Sequence, residues 1–365
     1  MLRSIEAQHG LLVERARGIY SFSHLTFQEY FTAREIVYSS NQEKALKNLV
    51  SHITEKPWQE VFLLAVGMLK NADNLLQLMK QQVDAFLVVD EKLQWFLTWV
   101  NQKSRSVETP YKPAAVRAFY FNLEFSLARV RDLGLDLTLT GLDLTLTGLD
   151  LALARDLALD RARDRDLSIN RNLALNRVFA LDRALVNNRA QARDRVRNLA
   201  LDHDFALTFA LAFALTLGLA HNRDDQDFPL GIDYDLANDL ERTLTRTLAR
   251  DFDLAKTFNH KLDLELQFKL QQLKEQLPDT SNDNRKNFLH WLQVDSQAWI
   301  EQLRPIMIEH RNIGHEWQFT DSQKELLKQY YDANKLLVDC LNSDCYVSRE
   351  VRQEIEDTLL LPVKQ

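Results

Sequence analysis

Glycine and proline are scarce in this chain, 9 and 7 among 365 residues. A sandwich or barrel of many short strands spends turn residues far more freely, so the scarcity points to helices. Cysteine is scarcer still. Two thiols in so long a chain build no disulfide framework and suit a reducing compartment. No glycine is followed by lysine, which excludes a G-x-x-x-x-G-K-[ST] phosphate loop. A G-x-S-x-G elbow and an H-E-x-x-H zinc helix are missing too, so no enzyme is expected here. The opening MLRSIEAQHGLLVERARG has no apolar core, and no signal peptide is read there. A cytoplasmic location is the expectation.

Long apolar runs are also lacking. The longest candidate, FALTFALAFALTLGLA from Phe205 to Ala220, is 16 uncharged residues between acidic flanks. A membrane span needs about 20, and the flanks supply no basic anchor. A buried element is expected, with no membrane partner. Hydrophobic residues at 45% and charged residues at 27% are ordinary for a globular protein. The length suggests two or three units. With 45 basic against 52 acidic side chains, broad phosphate-backbone binding is disfavoured and no nucleic acid is expected.

Helical signals dominate the first third. Thr26 followed by Glu29 fits a capping box, and Phe27, Tyr30, Phe31, Ala33, Ile36 and Val37 follow at helical spacing. Pro57 opens a helix with Val61, Phe62 and Ala65 on one stripe, and Pro113 opens another. FLVVDE, Phe86 to Glu91, has the look of a magnesium-binding strand. With no phosphate loop it reads better as a helix end, with Asp90 capping the next helix.

The middle is different. GLDLTLT stands twice in succession, from Gly134 and from Gly141, and the near copy GLDLALA follows from Gly148. Leucines and phenylalanines alternate there as in a strand, yet Leu, Ala and Arg are strong helix formers. The composition favours stacked helices in a solenoid over short strands. Beyond it, helices are expected over Asp239 to Leu277, Arg285 to Leu303, Ser322 to Leu341 and Arg349 to Leu360. Thr320 with Gln323 and Ser348 are candidate caps.

One constellation bears on metals. His310 and His315 form H-x4-H, and Cys340 and Cys345 form C-x4-C. Both spacings suit zinc ligand pairs, and four such ligands close a tetrahedral structural site. The plainer alternative is that the thiols pack at a helix end while the histidines bond to backbone carbonyls.

YSFSHLTFQEYFTAREIV, Tyr20 to Val37, resembles the last part of the winged-helix domain in NACHT-type signal-transduction ATPases, bacterial relatives of NOD-like immune receptors. WQEVFLLAVGML is similar to the helical region that follows there. The tail from His310 to Pro362 is similar to the C-terminal Cys- and His-containing helical domain of a bacterial subset. The resemblance implies an all-α fold: a winged-helix end (1–40), a helical domain (41–130), a repeat-rich helical middle (131–222) and a C-terminal helical domain (223–365). It implies that His24 sits against the phosphates of ADP in a resting state. The sequence holds no nucleotide-binding core, so ATP or ADP is reached only through a NACHT core in the same polypeptide or a separate chain; no cofactor is expected in this chain by itself. The implied role is regulatory and sensory, in antiphage defence, with a phage-derived trigger and the ATPase core or another protein as partners. Two other readings stay open: a standalone helical protein-binding scaffold, and a zinc-stabilised module or small metalloenzyme.

Overall fold

The computed structural model of the chain describes residues 11–16, 19–107, 112–130, 264–278 and 285–363, with individual positions between 199 and 248. They divide into two units. The first runs up to Thr98 and resumes at Thr320; the second lies between Trp99 and Phe319.

The first unit opens on an antiparallel hairpin, β1 (Leu12–Ala16) and β2 (Ile19–Phe22), pairing Leu12 with Phe22 and Glu14 with Tyr20. The sequence reading had named no strands here. Their signal is the pair of short runs LVERA and IYSF, separated only by Arg17 and Gly18, a spacing that favours a hairpin. A lone two-stranded ribbon is marginal in water, and this one leans on α1 (Leu25–Val37) by stacking Phe22 on Phe31 at 5.6 Å.

Helices α2 (Gln42–Val50), α3 (Gln59–Met68), α4 (Asp73–Ala85) and the start of α5 (Glu91–Arg105) follow. Asn41 caps α2 by accepting the Lys44 N–H at 3.1 Å. Pro57 lies in the 3-10 turn that leads into α3, where its missing N–H costs nothing. Asp90 caps α5, its Oδ1 accepting the Leu93 N–H at 3.0 Å, which accounts for FLVVDE without a nucleotide.

Helix α1 packs on α3, and α2 on α4. The last two helices, α10 (Asp321–Asn342) and α11 (Arg349–Thr358), return to this unit: α10 packs on α3 and α4, and α11 on α4. Phe62, Leu75, Leu76, Met79, Phe96 and Leu337 are fully buried as a result. Each such side chain stabilises the fold by about 1.5–3 kcal/mol. The Thr320 and Gln323 capping box is formed in both directions, and Ser348 caps α11.

The second unit contains the end of α5, α6 (Pro113–Val130), α7 (Leu264–Glu275), α8 (Arg285–Val294) and α9 (Ser296–Arg311). Both α7 and α8 pack on α9. Trp299 is buried and donates its indole N–H to the Leu273 carbonyl at 2.8 Å.

Two expectations change. The Thr26–Glu29 capping box is not formed: His24 is the N-cap residue, in extended conformation, and Thr26 lies inside the helix. The first turn closes early because the Phe27 N–H reaches the His24 carbonyl at 3.2 Å. The helix expected over 285–303 is two, divided at Asp295, and α9 runs on to Arg311. The alternating pattern after Phe205 gives no strand among the described residues. Phe205, Ala206, Thr208, Phe209 and Ala212 are helical and buried, at the spacing of one helix face. The heptad copies between 134 and 154, and most of Asp239 to Leu277, lie outside the described residues. No helix among the described residues is long and apolar enough to cross a membrane.

Candidate functional site

His24 stands where strand gives way to helix. Ser23 is tied to Leu11 by its N–H at 2.9 Å, so the hairpin delivers His24 directly to the start of α1. Its imidazole makes no capping hydrogen bond. It is exposed, with the Phe27 ring 5.9 Å away as an edge support. A helix start offers free N–H groups and the positive end of the dipole. The arrangement is able to present an imidazole and backbone donors to an anion from outside this segment.

The four residues read as zinc ligands are spread over both units. His310 and His315 belong to the second; Cys340, buried in α10, and Cys345, half-buried after it, belong to the first. Each has local partners. Cys345 Sγ donates to the Cys340 carbonyl at 3.3 Å, and His315 Nε2 lies 2.7 Å from Asn312 Oδ1. His310 Nε2 lies 3.2 Å from Lys269 Nζ. Among the described residues the ligand types that do gather are Glu265, Glu309 and His310. Lys269 already pairs with both carboxylates of that group, its ammonium 2.8 Å from each of Glu265 and Glu309.

The densest chemistry is buried in the second unit. Asp202, fully buried, accepts from Tyr120 Oη at 2.6 Å and from Arg311 Nε at 2.5 Å, and Lys103 Nζ lies 3.0 Å away. Burial, the largest influence, pushes its carboxyl up; Arg311 and Lys103, with the hydrogen bonds from Arg311 and Tyr120, outweigh it and hold Asp202 below the usual range. Lys103 also donates to the Arg311 carbonyl at 2.5 Å and lies 5.0 Å from the Tyr120 ring centre. Its burial draws its ammonium below the usual lysine value despite Asp202.

Glu124, one turn along α6 from Tyr120, is also fully buried. It accepts the Gly314 N–H on Oε1 and the Trp317 indole N–H on Oε2, the latter at 2.8 Å. Burial lifts its carboxyl to about 7, against the opposing pull of the Trp317, Gly314 and His315 N–H groups and of the Lys103 charge. The loop it grips has an unusual backbone. Asn312 ends α9 in the left-handed region at φ 52°, and Gly314 follows at φ 81°. Asn and Gly are the residues that take this conformation most readily. Trp99 meets Tyr120, His315 and Trp317 edge to face, sealing the cluster from water.

Every oxygen of these two carboxylates is matched by donors, and the one hydroxyl described against them, that of Tyr120, is itself one of those donors. The cluster fastens α5, α6, α9 and the segment around Asp202 together. The sequence motifs do not single out Lys103, Glu124, Asp202, Arg311 or Trp317. The signal for Glu124 was there: a lone acid between Leu123 and Phe125 on an apolar helix, four residues from Tyr120.

Residues 1–36 match the winged helix-turn-helix domain C-terminal to NACHT, and residues 266–362 match NACHT C-terminal Helical domain 2. Two segments of the chain thus match domains that stand C-terminal to NACHT. The winged-helix match takes in the hairpin, His24 and nearly all of α1; the helical-domain match takes in α7 to α11, including Arg311, Gly314 and Trp317. Glu124, Lys103 and Asp202 lie outside both matches, so the NACHT-associated helical domain is fastened by side chains from beyond its own boundary. No curated protein and no solved structure matches the chain.

Proposed function

We propose that this chain is the non-catalytic regulatory and sensor portion of a NACHT-type signal-transduction ATPase acting in cytoplasmic antiphage defence. The observation that carries the reading is the pairing of the two NACHT-associated matches with an exposed His24 at the start of α1. His24 would donate to a phosphate oxygen of ADP held by a NACHT core, supplied by further sequence of the same polypeptide or by another chain. The helical modules would restrain that core until a phage-derived trigger releases it.

The test is nucleotide retention. A purified NACHT core loaded with labelled ADP is mixed with this chain, and ADP release is followed by filter binding. Slower release with the wild-type chain, lost in His24→Ala, supports both the role and the residue. An unchanged rate with the wild-type chain overturns the role. Equal slowing by wild type and His24→Ala overturns the assignment of His24 alone.

A further inference from the structure

We propose that Cys340 and Cys345 are a redox pair, whose intramolecular disulfide loosens the grip of the α10–α11 turn on the α3–α4 junction. The two thiols share one turn. Cys345 Sγ lies 3.3 Å from the Cys340 carbonyl oxygen, an oxygen about 2.4 Å from its own Cα by ordinary backbone dimensions. The Cys345 sulfur is thus within about 6 Å of the Cys340 Cα, and a disulfide requires the two Cα atoms to come within about 7 Å. Side-chain rotation and a shift of the turn bring the sulfurs together.

The pair is chemically unequal. Cys345 is half-buried and reached by solvent, whereas Cys340 is fully buried and its thiol is held well above the usual range by that burial. With a peroxide as oxidant, the Cys345 thiolate attacks one peroxide oxygen. The O–O bond breaks, the departing oxygen takes up a proton as water, and a sulfenic acid remains. The Cys340 sulfur then attacks the sulfenic sulfur. The S–O bond breaks, and the hydroxyl leaves with the Cys340 proton as a second water. Two thiols and one hydrogen peroxide give one disulfide and two waters; a dithiol reductant reverses the link by exchange.

The turn that must move is a clamp. The Ala72 N–H donates to the Tyr346 carbonyl at 2.9 Å, and the Ser348 N–H donates to Asp73 Oδ1 at 2.8 Å. A side chain at Gly67 would stand 3.6 Å from the Asp344 carbonyl, so the turn lies in contact with the end of α3 as well. Drawing the Cys340 sulfur toward Cys345 removes it from the core of α10 and ends the thiol–carbonyl hydrogen bond. The clamp bonds at Tyr346 and Ser348, just past residue 345, then lose their register.

The 365-residue chain is treated with hydrogen peroxide and digested with trypsin, which releases both cysteines on one peptide, residues 336–349. The expected product has lost two hydrogen atoms and regains them with dithiothreitol. In the oxidised protein the Ala72 and Ser348 amides are expected to exchange with deuterium roughly tenfold faster. Cys345→Ser, which keeps a hydroxyl donor at the half-buried position, is expected to show neither change. Sulfinic acid at Cys345 without the link, a link between two chains, or a link that leaves both amides fully protected would each overturn the proposal.

Discussion

Replacing Glu124 by glutamine should change stability in opposite directions at low and high pH. The carboxyl of Glu124 titrates at about 7 in the folded chain against a usual value of 4.5. Between those values the folded state binds more protons than the unfolded one, so stability falls as pH rises. A shift of that size corresponds to about 3 kcal/mol of destabilisation once the group is fully ionised. Glutamine removes the ionisation and keeps the shape. One of its two terminal atoms becomes an N–H₂ facing a donor, either the Gly314 N–H or the Trp317 indole N–H. A buried donor left without an acceptor costs about 1–3 kcal/mol.

At about pH 5, where wild-type Glu124 is already protonated, Glu124→Gln should be less stable by roughly 1–3 kcal/mol. At about pH 8 the loss of the buried charge offsets that cost, and the variant should equal or exceed wild type. Urea unfolding followed by Trp fluorescence measures both, and groups titrating in common cancel in the difference. Parallel stability curves for the two proteins across this range would refute the argument.

Asp202→Ala should cost about 3–5 kcal/mol, because Lys103 and Arg311 are then left close together, buried and without their carboxylate; a smaller loss in urea unfolding would show that water reaches the site. Gly314→Ala should cost roughly 1–2 kcal/mol, mostly from the left-handed backbone at φ 81°. The tightest contact of the added Cβ is the flexible end of Met307 at 3.2 Å, so a much larger loss on thermal unfolding would place the strain in packing instead. Thr320→Ala removes one half of the α10 capping box and should cost about 1 kcal/mol; an unchanged midpoint in urea would mean that Gln323 alone secures the helix start.

Several elements were legible because their physics is local. Asp90, Thr320 and Ser348 each satisfy an amide three residues ahead, a distance along the chain that any conformation near a helix start preserves. Pro57 and Pro113 mark helix starts because their rings already hold the required φ. His24 was found as part of a motif, and its place at the helix end was wrong by two residues. Whether His24 or Thr26 becomes the N-cap depends on where β2 releases the chain, and that is set by pairing with β1.

The buried cluster shows what composition and spacing could not supply. Glu124 meets Gly314 across 190 residues, and Asp202 meets Arg311 across 109. Along the chain, Glu124 stands out as a lone acid in an apolar stretch and Asp202 as one more charge, and neither names its partner. Only packing removes water from them, and only then do a carboxylate's donors and its titration become decisive, because an unmatched buried charge is costly while an exposed one is not. The sequence by itself determined the helical class, the helix starts marked by Asp90, Thr320, Ser348 and the two prolines, and the NACHT-like segments, which rest on residue types within a few positions of one another. Tertiary structure decided that α10 and α11 return to α3 and α4, and that Glu124 and Asp202 fasten the second unit, since burial belongs to the packed chain and to no stretch of it alone.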